Sequence, residues 1–169
     1  FQESSFRGIQ TGFRGIVTNY FYSNKPFRIS WTSSLALKKE VLEKFSGFNE
    51  NITNGEDVEL WTKIGIKYPV ALSNKTTAIY NFNTTSSSTK QNINSMKLMN
   101  FKQFKKEETN NIYLKEFLDL HRFFYAIQFK TSGNIEKAKY YYEDIHPKNI
   151  SVANHILFNL PSFILKKLY

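Results

Sequence analysis

The hydrophobic period of this chain changes once, at a run of small polar residues, NTTSSSTK, spanning residues 83–90. Before the run, short stretches with period-two alternation are interspersed with short stretches of helical period, divided by glycines and prolines. Beyond it, the pattern is helical throughout. We expect a mixed α/β part over residues 1–90 and a helical extension over residues 91–169, with the run itself a loop or hinge.

Within the first part, PFRISWTSS reads as a half-buried strand. Phe27, Ile29 and Trp31 alternate with Arg28 and Ser30, and the strand ends in Thr32, Ser33 and Ser34. LALKKEVLEKFSGF reads as a short helix, with Leu37, Val41 and Phe45 at spacing four. Gly47 suits a left-handed C-cap, and Phe48 can fold back onto the last turn. GEDVELWTKIGIKYP is a second helix that buries Val58, Trp61, Gly65 and Tyr68, pairs Glu59 with Lys63 and stops at Pro69. VALS and TAIYNF read as two more short strands. Residues 1–26, with RGIQTGFRG, read as a flexible loop in which Arg7 and Arg14 keep an anion-binding role open. In the second part, NSMKLMNFKQFKKEE is expected as one helix. The two that follow form a hairpin through SGN, with Ala126 and Ala138 available for close contact. The tail ANHILFNLPSFILKKLY is apolar with a basic end, and either packs on the domain or lies in a membrane interface.

Composition narrows the chemistry. The chain has no cysteine, which removes thiolate nucleophiles and cysteine-built zinc sites. Its three histidines show no metal-ligand spacing, and no nucleophile elbow accompanies them. The net charge of +9 favours phosphate-bearing partners, but the lysines are dispersed and the aromatic triplet Tyr140–Tyr142 lies in a helical seam, so nucleic acid is not expected. No apolar run is long enough to span a membrane, and FQESSFRGIQ carries no signal-peptide pattern. We expect a cytoplasmic protein whose chain begins inside a longer one.

The adjacent acids Glu56 and Asp57 open the second helix. One reading is structural: acids are favoured in a first turn, Thr53 or Asn54 serves as N-cap, and Glu56 stands at capping-box spacing from Thr53. The other is chemical. The positive end of the helix dipole favours the carboxylate anion, the form that accepts a proton from a substrate hydroxyl.

The surrounding residues favour the chemical reading. From about 27 to 83 the chain resembles the second half of the catalytic domain in family-2 glycosyltransferases of the GT-A fold. The resemblance lies in a strand ending in Thr/Ser and a helix ending in Gly47-Phe48-Asn49-Glu50. Gly55-Glu56-Asp57 and a helix carrying Leu60-Trp61 follow. It implies an inverting transfer of a sugar from a nucleotide-sugar donor to a saccharide or lipid-linked acceptor, in bacterial surface polysaccharide synthesis. By the same resemblance Asp57 is the catalytic base, Glu56 orients the acceptor or Asp57, Trp61 walls the acceptor pocket, and Gly55, Ser33 and Ser34 lie at the substrate. The Mg²⁺ or Mn²⁺ of such enzymes is held by an Asp-x-Asp in the nucleotide-binding half; this sequence has no Asp-x-Asp, and no histidine near Asn81–Asn83. The expected fold is thus a mixed sheet with flanking helices, the acceptor-side part of a GT-A domain, followed by the helical extension. Alone, such a part is expected to bind nucleotide sugars poorly, to self-associate and to meet a membrane only peripherally. The alternative is a non-catalytic interaction module on a transferase-like scaffold.

Overall fold

The structure is a computed structural model, and it describes residues 5–25, 28–79 and 92–168. It divides into two compact units, one drawn from Phe1–Ser87 with Lys97–Asn100, the other from Ser88–Met96 with Phe101–Tyr169. The NTTSSSTK run lies outside the described residues.

The first unit is mixed, as the sequence suggests, but its sheet among the described residues is a single antiparallel pair. Strand β1 (Arg14–Ile16) lies against β2 (Ala71–Ser73), with Arg14 opposite Ser73 and Ile16 opposite Ala71. Flanking bonds from Val17 N–H to the Val70 carbonyl and from Asn74 N–H to the Phe13 carbonyl, both 2.8 Å, lengthen the pairing. The N-terminal segment is therefore not the loop expected of it. VALS forms β2, whereas residues 77–79 of TAIYNF form no strand and its remainder lies outside the described residues. Helical turn α1 (Tyr20–Ser23) follows β1, capped by the Asn19 side chain, which accepts from Tyr22 N–H. Arg7 is drawn into this packing: its guanidinium lies 4.0 Å from the Tyr22 ring centre and donates to the Tyr22 carbonyl.

The strand expected over 27–34 is absent from the described residues. Trp31 is extended, but Thr32–Ser34 form a 3-10 turn. The alternation is also inverted, because Ser30 is buried and Trp31 only half-buried. A polar partner reverses the pattern: the Ser30 hydroxyl lies 2.7 Å from the Tyr20 hydroxyl, and that bond stabilises Ser30 in the interior.

Helix α2 (Lys39–Lys44) is shorter than its pattern and ends in a Schellman turn. Ser46 N–H donates to the Glu43 carbonyl and Gly47 N–H to the Leu42 carbonyl. Ser46 and Gly47 are both left-handed, at φ 58° and 70°. Phe48 then packs edge-on against Trp61, with ring centres 5.6 Å apart. Helix α3 (Glu56–Lys67) buries Leu60, Trp61 and Ile64 against Leu35, Leu37, Val41, Leu42, Phe45 and Tyr68. Gly65 lets α1 press on α3: a Cβ there would stand 2.5 Å from a Tyr20 ring carbon and 3.3 Å from Phe21.

The second unit is helical, but NSMKLMNFKQFKKEE is not one helix. Ile93–Ser95 and Phe101–Phe104 are 3-10 turns, and only Lys105–Asn110 is α-helical (α4). The intervening Lys97–Asn100 joins the first unit, where main-chain pairing offers more than continued helix. Helix α5 (Ile112–Thr131) is capped by Asn111, which accepts from Tyr113 and Leu114 N–H. It turns at Gly133, φ 90°, into α6 (Ile135–Glu143), which Asn134 caps. Ala126 and Ala138 are wholly buried in this hairpin. Helices α7 (Val152–Asn159) and α8 (Ser162–Leu168) complete the unit.

At the centre of the second unit lies a buried ion network. The Arg122 guanidinium, 1% exposed, reaches Asp119 at 2.9 Å, Glu108 at 2.8 Å and Asp144 at 2.9 Å, and stacks on Phe101. Asp119 also accepts from Lys115 at 2.5 Å, from His146 N–H at 3.0 Å and from Asn149 at 2.7 Å. Lys105 bridges Asp144 and Glu108. Each buried carboxylate thus has a cation, the condition on which such groups are tolerated in a core. These partners also hold Asp144 below the usual carboxylate range, against the opposing effect of its burial.

Candidate functional site

The two acids begin α3 as the sequence suggests, but the cap is different. Gly55 is the N-cap residue, left-handed at φ 89°, and it makes no side-chain capping bond. Its carbonyl accepts the first helical bond, from Glu59 N–H at 2.9 Å. Thr53 is occupied elsewhere: its hydroxyl accepts from Lys97 N–H at 2.9 Å, and its own N–H donates to the Lys97 carbonyl at 2.8 Å. Asn54 and Leu98 form a parallel bridge beside this pair. No capping box involves Thr53, because main-chain pairing with Lys97–Leu98 takes its hydroxyl. The pairing also clamps the loop that delivers Gly55.

Asp57 is half-buried. Its Oδ1 accepts from Val58 N–H at 2.7 Å, and its Oδ2 lies 3.6 Å from the Arg28 guanidinium. Arg28 also stacks over Trp31, with its carbon 4.7 Å from the ring centre. Both partners of the ion pair keep more than a quarter of their side-chain surface in solvent, so the pair contributes little to stability. Glu56 is half-buried beside Asp57.

Behind the ion pair stands Tyr20. Burial pushes its hydroxyl up to about 12; the bond to Ser30 and the Arg28 charge work against that rise, and the Asp57 charge adds to it. Asn24 ties the same corner together. Its amide donates to the Tyr20 carbonyl at 2.6 Å, and its carbonyl oxygen accepts from Ile29 N–H at 2.9 Å. Residues 28–31 are thereby fixed beside the start of α3.

The remaining expected site residues divide. Ser33 and Ser34 are exposed on the 3-10 turn that follows Trp31. Trp61 shares a helix face with Asp57 at spacing four, yet its ring is buried and packs on Phe48. Its indole N–H is buried and has no hydrogen-bond partner among the described residues. The Gly-Phe-Asn-Glu stretch holds α3 from outside: Phe48 contacts Trp61, and the Asn49 amide approaches the buried Glu59 carboxylate at 3.4 Å. Lys63 pairs with Glu59 as expected.

The chain matches no family model. Nor does any curated protein or solved structure match it significantly. What the site can do therefore rests on its geometry.

Among the described residues no group of three His, Asp or Glu is placed to hold a metal ion, and a guanidinium stands beside Asp57. These residues do not fit a divalent cation. Sequence reading missed Arg28 and Tyr20. Arg28 stood at a polar position of the expected strand; Gly65, opposite Tyr20, was the one sign of a close approach.

Proposed function

We propose that this chain carries the acceptor-side, base-bearing part of an inverting glycosyltransferase that uses a nucleotide-sugar donor. Asp57 carries the reading. It is a half-buried carboxylate at a left-handed glycine turn, held from one side by Arg28, with acceptor capacity left over on a partly exposed face. The resemblance around Gly47–Glu50 and Leu60–Trp61 supplies the reaction class.

In this reading the Asp57 carboxylate takes the proton of the acceptor hydroxyl as that oxygen attacks the anomeric carbon. The bond from that carbon to the donor phosphate breaks, its electron pair leaves with the nucleoside diphosphate, and the configuration inverts. Arg28 positions Asp57 through the ion pair and is itself steadied on Trp31. Glu56 and Gly55 border the acceptor, and Ser33 and Ser34 lie on the turn after Trp31. Trp61, one turn on from Asp57, backs the acceptor side from beneath Phe48.

The test is sugar transfer by the protein expressed from its complete reading frame, assayed with a panel of nucleotide sugars and lipid-linked acceptors. Asp57→Asn is expected to lower turnover by about a hundred- to ten-thousand-fold. Transfer at the parent rate by a folded Asp57→Asn protein would leave capping and loop geometry as the role of the acid pair. It would return the chain to the interaction-module reading.

A further inference from the structure

Helices α7 and α8 are apolar on both faces. Inward, Phe158 stacks on Tyr142 with ring centres 3.7 Å apart, and Leu165 is completely buried. The Phe158 carbonyl accepts from Lys130, and His155 is fixed between the Tyr142 hydroxyl at 2.6 Å and the Pro147 carbonyl at 2.9 Å. The helices are therefore seated on the second unit. Outward, Val152 is 75% exposed, Ile156 60%, Phe163 67% and Leu168 64%. Val152 and Ile156 stand at spacing four, on one face of α7. Phe163, Lys166 and Lys167 stand at spacings three and four, on one face of α8. Two successive short helices with outward apolar residues need a partner.

Charge decides which partner. Residues 145–169 contain Lys148, Lys166 and Lys167 and no Asp or Glu. Two copies of this segment would repel, whereas an anionic surface would not. No helix among the described residues is long and apolar enough to cross a membrane, so contact would be interfacial.

We propose that α7 and α8 form an interfacial anchor for an anionic lipid bilayer. Val152, Ile156, Phe163 and Leu168 enter the boundary between headgroups and acyl chains, and Lys166 and Lys167 meet the headgroup phosphates. This surface belongs to the second unit and stands whether or not Asp57 acts as a base.

The experiment is flotation of the whole chain with vesicles of phosphatidylcholine alone or enriched in phosphatidylglycerol, at low and high salt. The protein is expected to float with the anionic vesicles only, and less at high salt. Lys166→Gln with Lys167→Gln is expected to weaken binding about 30-fold. Phe163→Ser, an exposed position whose loss leaves the inward contacts intact, is expected to weaken it about tenfold or more. Absence of flotation with anionic vesicles overturns the proposal, as does equal flotation with both compositions. A dimer that Phe163→Ser dissociates, in a chain that binds no vesicles, assigns the face to a second copy and overturns it as well.

Discussion

The two units use the same chemical groups to opposite ends. In the second, Asp119 is wholly buried and accepts from Arg122, Lys115, Asn149 and the His146 N–H. Those donors fill its acceptor capacity, and nothing is left for a ligand. In the first, Asp57 accepts from its neighbour's N–H and faces one guanidinium at 3.6 Å, with more than a quarter of the side chain open to solvent. A saturated carboxylate organises a fold. One held from a single side can still take a proton. The difference lies in what surrounds each acid, since both stand on helices near an arginine.

The sharpest way to break this contrast is the turnover of Asp57→Asn described above, where the expected loss is the largest effect of all. Next in size is Arg122→Met, which leaves Glu108 and Asp119 buried without their shared cation. Urea unfolding is expected to register a loss of about 3–5 kcal/mol, and a loss under 1 kcal/mol would show that the network is not what holds the second unit. Gly65→Ala is the counterpart in the first unit. The added methyl meets the Tyr20 ring and displaces the corner that carries Arg28 and Ser30, at a cost of about 1–3 kcal/mol by thermal or urea melting.

Alkaline titration probes both units at once. Burial raises Tyr20 and Tyr141 to about 12 from an ordinary value of 10.0. A tyrosine raised in the folded state stabilises the fold fully below the unfolded value and ceases to do so as pH climbs through the folded one. Stability is therefore expected to decline between about pH 10 and 12, with tyrosinate absorbance appearing late and together with unfolding. Tyr20→Phe should flatten the first unit's share of that decline. The smallest effect belongs again to Asp57→Asn, read this time as stability. A change of less than about 1 kcal/mol is expected, because the ion pair is half-exposed and the cap is Gly55. A larger loss would mean that Asp57 is a structural acid like Asp119.

Some of this was legible in the residues. The 3.6 period of α5 and α6, the glycine turn between them and the acids opening α3 are local features, set by side-chain spacing and backbone sterics, so sequence reading finds them. The helix of NSMKLMNFKQFKKEE failed because Lys97–Asn100 leaves its neighbours to pair with Thr53 and Asn54, some forty residues away. The strand of PFRISWTSS failed for a related reason. Alternation reports which side chains suit a pleated surface, but a strand also needs a ladder, and Ser30 was turned inward by Tyr20.

By itself, then, the sequence determined the helical second half, the turn chemistry at Gly47 and Gly133, and the presence of two acids at a helix start, since each depends on residues within a turn or two of one another. Only the tertiary structure decided that Asp57 meets Arg28, that Trp61 is buried beneath Phe48, and that Asp119 is saturated while Asp57 is not. Those outcomes rest on which distant groups reach each carboxylate, and on how much water they displace from it.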